Sequence, residues 1–262
     1  MSRLDASLAL KPLEEGVFAA LADPAYEANS GMFGGWTAAL IVSAALSDPR
    51  ASGSCSSLSM HFLKMIPPGS ALRITTRPAG GSKSIAVWQV EVTPEGAPGP
   101  STIGTVVLTH RHPSDAHVEG KMPEAVPPET LPPLSPPGPF GQRTQNRIAR
   151  GGKLFEAPDT VSHAWVRETS GRTMDAIQLA YLCDVLVPRV FHISKGPRPT
   201  STVTLSLNIL AGPEELASIG DDWILNEVTA TRIEQSQAGS HARHWSRAGG
   251  LLATSEQLCW FR

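Results

Sequence analysis

One arrangement occurs twice in this 262-residue chain: an apolar helix stopped by proline, then a run of antiparallel strands. In the first half, Gly34-Gly35-Trp36 opens a helical stretch that continues to Leu46 and stops near Asp48-Pro49. Strands are expected over residues 57–66, 72–77, 84–92 and 102–109, where β-branched residues alternate with polar ones. In the second half, residues 174–186 form an apolar helix ahead of Pro188. Strands are expected over 201–210, 223–231, 242–245 and 251–261. Aligning Leu58 onward with Val203 onward sets Ser57 near Thr202, so both copies begin that strand with a hydroxyl.

A helix that is apolar nearly all round has to be buried on most sides. Only the strands that follow are available to cover it, so each half folds as a sheet rolled around a central helix. The expected class is α+β, a double hotdog: two tandem hotdog units, each an antiparallel sheet wrapped around a long helix. Between them runs Pro123-Glu-Ala-Val-Pro-Pro-Glu-Thr-Leu-Pro-Pro-Leu-Ser-Pro-Pro-Gly-Pro139. Repeated proline removes backbone donors and favours extended polyproline II, the behaviour of a semi-rigid connector. The expected division is residues 1–112 for the first unit, 113–150 for the proline-rich linker and 151–262 for the second.

Composition narrows the function. Net charge is −2 with a pI near 6.4, which gives no field for nucleic acid and no basic face for an anionic membrane. The most apolar segment, residues 36–46, falls short of the ~20 residues that span a bilayer. The first ten residues mix Arg3 and Asp5 into a short apolar stretch, without the basic start and unbroken apolar core of a signal peptide. Cys55, Cys183 and Cys259 are an odd, unclustered set, read as free thiols in a reducing compartment rather than a disulfide framework or zinc site. A cytoplasmic protein is expected, with no metal and no cofactor.

Several short blocks, in order over nearly the whole chain, resemble the acyl-CoA thioesterase II type of double-hotdog protein. Met32-Phe33-Gly34-Gly35 is similar to that family's first-helix opening, and Phe62-Leu63-Lys64 through Pro68-Gly69 to its strand ending in an arginine-proline-glycine turn. Trp223-Ile-Leu-Asn-Glu-Val-Thr229 and Leu252-Ala-Thr-Ser-Glu-Gln-Leu-Cys-Trp-Phe-Arg262 resemble its second-half strands. Arg77-Pro-Ala-Gly-Gly-Ser-Lys-Ser84 only loosely replaces an arginine-rich segment common in members. The resemblance implies a catalytic set of an aspartate late in the second helix, a hydroxyl at the start of the next strand and a glutamine in the last strand. Carried onto this sequence, these are Asp184, Thr202 and Gln257. The resemblance also implies an acyl-CoA substrate and a homo-oligomer, a dimer of double hotdogs.

The residues themselves admit plainer readings. Asp184 sits among Leu182, Cys183, Val185 and Leu186, where an unpaired carboxylate is costly, and it could simply bond backbone near the helix end. Strict alternation groups Thr202 with Thr204, Ser206 and Asn208 on a solvent face, so a site role needs a bulge or cover from the other unit. Gln257 could be structural. Gly34 and Gly35, as candidate substrate-binding residues, offer a helix N-terminus to a thioester carbonyl, or merely let two elements pack closely. No Gly-x-Ser-x-Gly elbow occurs. Of the eight histidines, His241 and His244 flank Arg243 and are expected on a strand surface.

The expected activity is hydrolysis of acyl-CoA to a free acid and CoA by a water that Asp184, Thr202 and Gln257 position. The alternatives are a catalytically silent double hotdog that binds acyl-CoA or acyl chains, and an enoyl-CoA hydratase.

Overall fold

The computed structural model describes residues 1–29 and 31–262. The first half runs α1 (Arg3–Ser7), β1 (Lys11–Glu14), β2 (Val17–Leu21), a small ribbon of β3 (Glu27–Ala28) and β4 (Gly31–Met32), α2 (Gly34–Ser47), β5 (Ser54–Phe62), β6 (Ala71–Gly81), β7 (Ile85–Pro94) and β8 (Thr102–Thr109). The second runs β9 (Thr144–Arg150), β10 (Ser162–Glu168), α3 (Ala176–Leu182), α4 (Val190–Ile193), β11 (Thr200–Ile209), α5 (Pro213–Ser218), β12 (Ile224–Glu234), β13 (Gln237–Ser246) and β14 (Leu251–Phe261).

Twelve strands form one antiparallel sheet, ordered β1-β2-β6-β7-β8-β5-β11-β14-β13-β12-β10-β9. Read inward from either edge, the connectivity is the same, so the two halves are copies. They join where β5 pairs with β11, with Leu58 opposite Leu207, His61 opposite Thr204 and Ser57 opposite Asn208. The fold is the double hotdog expected, but each copy also contains an outer hairpin, β1–β2 or β9–β10, that alternation did not expose. The reason is visible in β1, whose four residues are all exposed and include Pro12. The segment expected as a connector over 113–150 ends in β9, which pairs with β10 along its length.

Both copies carry a bulge near the start of the strand after the helix. In β5 the register shifts between Cys55 and Ser57; in β11 it shifts between Thr202 and Thr204. Superposing these irregularities sets Cys55, not Ser57, opposite Thr202 in the repeat.

α2 is buried on almost every side, from Trp36 through Ala45, as a uniformly apolar helix requires. Its Leu40 and Ile41 are fully enclosed, each worth ~2 kcal/mol of transfer free energy. The same core contains Leu179, Ala180 and Leu182 of α3 and inward residues of both sheet halves. Because Gly35 lies against Tyr181 while Leu46 and Ala176 border one cavity, α2 and α3 pack antiparallel. The proline-rich segment lies across the second copy: Met122, Ala125 and Leu131 cover Trp165, Trp223 and Trp245, and the Trp165 indole donates to Val126 O at 2.9 Å. No helix among the described residues is long and apolar enough to cross a membrane.

Candidate active site

α3 stops at Leu182, four residues short of the helix expected from the sequence. Asp184 therefore lies in the turn just beyond the helix. Two constraints end the helix early. Pro188 cannot continue it, and the Leu182 carbonyl is taken at 2.9 Å by the Asn226 side-chain amide from β12. The turn delivers Asp184 to the N-terminus of α2.

That N-terminus has no side-chain cap, because its N-cap residue is Phe33. Four N–H groups at such an end lack intrahelical partners. The Gly35 backbone lies close to the Asp184 carboxylate and favours its charged form. The approach is close enough to require glycine. A Cβ on Gly34 would lie 2.5 Å from Asp184 Oδ2, and one on Gly35 would run into the Tyr181 carbonyl. The two plain readings of this glycine pair thus merge: tight packing is what brings backbone to carboxylate.

From the opposite side Gln257, on β14, donates its amide to Asp184 Oδ1 at 2.7 Å. Asp184 keeps a small exposed fraction, yet protein atoms pack densely around its carboxyl. Burial pushes its pKa up to about 7, against the opposing pull of the Gln257 and Gly35 donors. Asp48 makes the contrast. It follows α2 as Asp184 follows α3, and it too is buried. Its carboxylate meets the Arg50 guanidinium at 2.8 and 2.9 Å and the Thr76 hydroxyl at 2.6 Å, which hold its pKa at about 2. Asp48 is a satisfied structural ion; Asp184, with amide donors and no cation, is poised near neutrality.

Thr202 reaches the same side through the bulge. Beyond the extra residue Val203, Thr202 pairs with Cys259, while Leu205 pairs with Gln257. A one-residue insertion reverses the facing of everything on one side of it. Thr202 therefore leaves the outward row of Thr204, Ser206 and Asn208 and shares a face with Cys259 and Gln257. Its Oγ1 lies 3.6 Å from Cys259 Sγ. By register the first-half counterparts of Thr202, Cys259 and Gln257 are Cys55, Leu108 and Val106, none of which has a hydroxyl or an amide.

Beside Gln257 is a narrow cavity of about 20 Å³, bordered by Cys183, Arg189, Ser255, Gln257 and Cys259, room for about one water. A second cavity, of about 820 Å³, opens at the far end of the helix pair near Leu46, Cys55, Asp175 and Leu216. It holds neither Asp184 nor Gln257.

His244 corrects one expectation. It is fully buried, whereas His241 and Arg243 are exposed. Alternation could have found this, since His241 and His244 are three apart and cannot share a face. His244 Nδ1 lies 2.8 Å from Asn226 Oδ1 and Nε2 lies 2.9 Å from Ser255 Oγ. Sequence reading missed this trio.

Residues 22–109 match the family described as acyl-CoA thioesterase N-terminal domain, and residues 123–261 match the acyl-CoA thioesterase C-terminal domain. Among solved structures, the chain is similar to a conserved hot dog fold protein of unknown function from Alicyclobacillus acidocaldarius (30% identity, TM-score 0.94, covering 100% of this chain and 98% of that one). It is also similar to an acyl-CoA thioesterase II, TesB2, from Mycobacterium marinum (19% identity, TM-score 0.77, covering 99% and 96%). A tesB protein from Mycobacterium avium subs paratuberculosis shares 18% identity at a TM-score of 0.81, covering 99% and 98%. No curated protein matches the chain.

Proposed function

The chain belongs to the acyl-CoA thioesterase family, and from that premise we propose that it hydrolyses acyl-CoA thioesters to a free carboxylic acid and CoA. One observation carries the reading: an aspartate without a cationic partner, raised to about 7, clamped between the Gln257 amide and the first turn of α2. A general base works best when its pKa lies near the operating pH.

In this reading Asp184 takes a proton from a water as its oxygen attacks the thioester carbonyl carbon. Gln257, bonded to Asp184, and Thr202, on the same face of the sheet as Gln257, orient that water. The carbonyl oxygen, which becomes an oxyanion, is received at the first turn of α2, whose N–H groups lie beside the Asp184 carboxyl where Gly34 carries no side chain. The tetrahedral adduct then collapses: the carbon–sulfur bond breaks, and the CoA thiolate leaves and is protonated. No covalent intermediate with the protein is needed. In the first half Cys55 and Val106 stand where Thr202 and Gln257 do, and Asp48 is held as an ion by Arg50, so each chain carries one catalytic centre.

Release of free CoA thiol from a panel of short, long and aromatic acyl-CoAs tests the proposal. Turnover of any of them supports it. Binding without turnover across the panel would replace it with a silent acyl-CoA-binding protein.

A further inference from the structure

The Asp184 turn is tied to the sheet by a chain of buried side chains that plays no direct part in the proposed chemistry. Asn226, His244 and Ser255 stand on three adjacent strands, β12, β13 and β14, and Asn226 and His244 are direct cross-strand partners. Asn226 and His244 are fully buried and Ser255 is 3% exposed. The Asn226 Nδ2 donates to Leu182 O, two residues before Asp184, at 2.9 Å. Its Oδ1 must then face the imidazole, so His244 Nδ1 carries the proton and donates to it. The other nitrogen, Nε2, is left to accept from the Ser255 hydroxyl. Ser255 is two residues from Gln257 on the same face of β14, and both border the water-sized cavity.

We propose that His244 is a positioning residue for the Asp184–Gln257 pair. With Asn226 and Ser255 it forms a hydrogen-bonded strut running from the strand that bears Gln257 to the turn that bears Asp184. The two partners of the 2.7 Å clamp arrive from elements far apart in sequence, and this strut fixes the distance between those elements. A bystander histidine would need only one partner. Here every polar atom of the three side chains that can reach the next is used in one direction, ending on a carbonyl that the helix has given up. Burial pushes His244 down to about 4, so it stays neutral and holds a single donor and a single acceptor over the working pH range. The titratable and charged groups nearest the clamp are the thiols of Cys183 and Cys259, both raised by burial, with Arg189 and His241 on the cavity beside Gln257; the His244 and Ser255 variants leave all four in place.

The inference rests on the catalytic reading of Asp184, and its test separates the two. The Asp184 carboxyl titration is followed by ¹³C NMR in the whole protein, alongside kcat and KM, for wild type, His244→Leu, His244→Gln and Ser255→Ala. The Leu variant breaks the strut; the Gln variant keeps a donor and an acceptor. The expected result is a displaced Asp184 midpoint and a kcat lowered about tenfold or more in His244→Leu, with KM changed less than about threefold. His244→Gln should restore most of both properties, and Ser255→Ala should fall between them. If His244→Leu does not fold, Ser255→Ala carries the test, since it removes one link at the sheet end. An unmoved midpoint and unchanged kcat in folded variants overturns the strut. Asp184→Asn in the same series tests the underlying reading: retained turnover there sinks the catalytic role of Asp184, while the titration still judges the strut in the wild type and His244 variants.

Discussion

Gln257 and Asp184 are 73 residues apart in sequence and 2.7 Å apart in space, amide donor to carboxylate. Among the described residues no cation forms an ion pair with Asp184, and the helix end that also touches it begins 150 residues before it. The properties of the carboxyl follow from this enclosure, and so do the predictions.

Removing the amide should move the base. Gln257 lowers the Asp184 pKa, against burial, which raises it. In Gln257→Leu the carboxyl therefore titrates above 7, and the acid limb of the pH–rate profile shifts to higher pH. Turnover at pH 7 should drop roughly tenfold or more, as lost charge stabilisation at such a site does. Steady-state rates between pH 5 and pH 9 check this. An unshifted limb would mean that Gln257 does not touch the ionisation that limits the rate.

Asp184 also costs stability at high pH. Its folded pKa is raised from 3.8 to about 7, so between those values the folded protein holds a proton that the unfolded chain has released. Stability contributed by this group is complete below about pH 4 and is lost as pH rises through about 7, by up to ~4 kcal/mol. Asp184→Asn cannot ionise. The melting temperature of the variant minus that of the wild type should grow as pH rises from 4 to 8, by several degrees. A difference that stays flat with pH would contradict the raised pKa.

Gly34→Ala separates helix stability from chemistry. Alanine favours a helix over glycine by up to ~1 kcal/mol, but its Cβ would sit 2.5 Å from Asp184 Oδ2. The carboxyl has to move, and a displacement of about 1 Å costs about 100-fold in rate. We expect a folded protein of near-normal melting temperature with kcat lowered at least tenfold. Normal kcat would show that the carboxyl tolerates the shift.

The β11 bulge makes neighbouring threonines unequal. Thr202→Val removes a hydroxyl on the Asp184 side and should lower kcat about tenfold, whereas Thr204→Val, on the outward row, should leave it within about twofold. Equal effects would place Thr202 outside the site.

The sequence showed the duplication because α2 and the strands after it are long and strongly patterned. It showed the clamp residues only through family resemblance, for physical reasons. Alternation assigns Thr202 to solvent, and what turns it inward is a bulge that no residue type announces. Asp184 reads as helical, since its escape from α3 depends on Asn226 in a strand not yet in place. The outer hairpins were illegible because β1 is exposed and β9 polar, Thr-Gln-Asn-Arg-Ile-Ala-Arg. His244 was a misreading, not an illegible feature: the period of β13 separates it from His241.

The most direct measurement is acyl-CoA turnover by Asp184→Asn beside its binding of the same acyl-CoA, on the acyl chain that the wild type prefers. CoA release is expected to fall about 100-fold or more while the dissociation constant stays within about threefold. Turnover equal to wild type would contradict that expectation and return Asp184 to the role of a remote cap on α2.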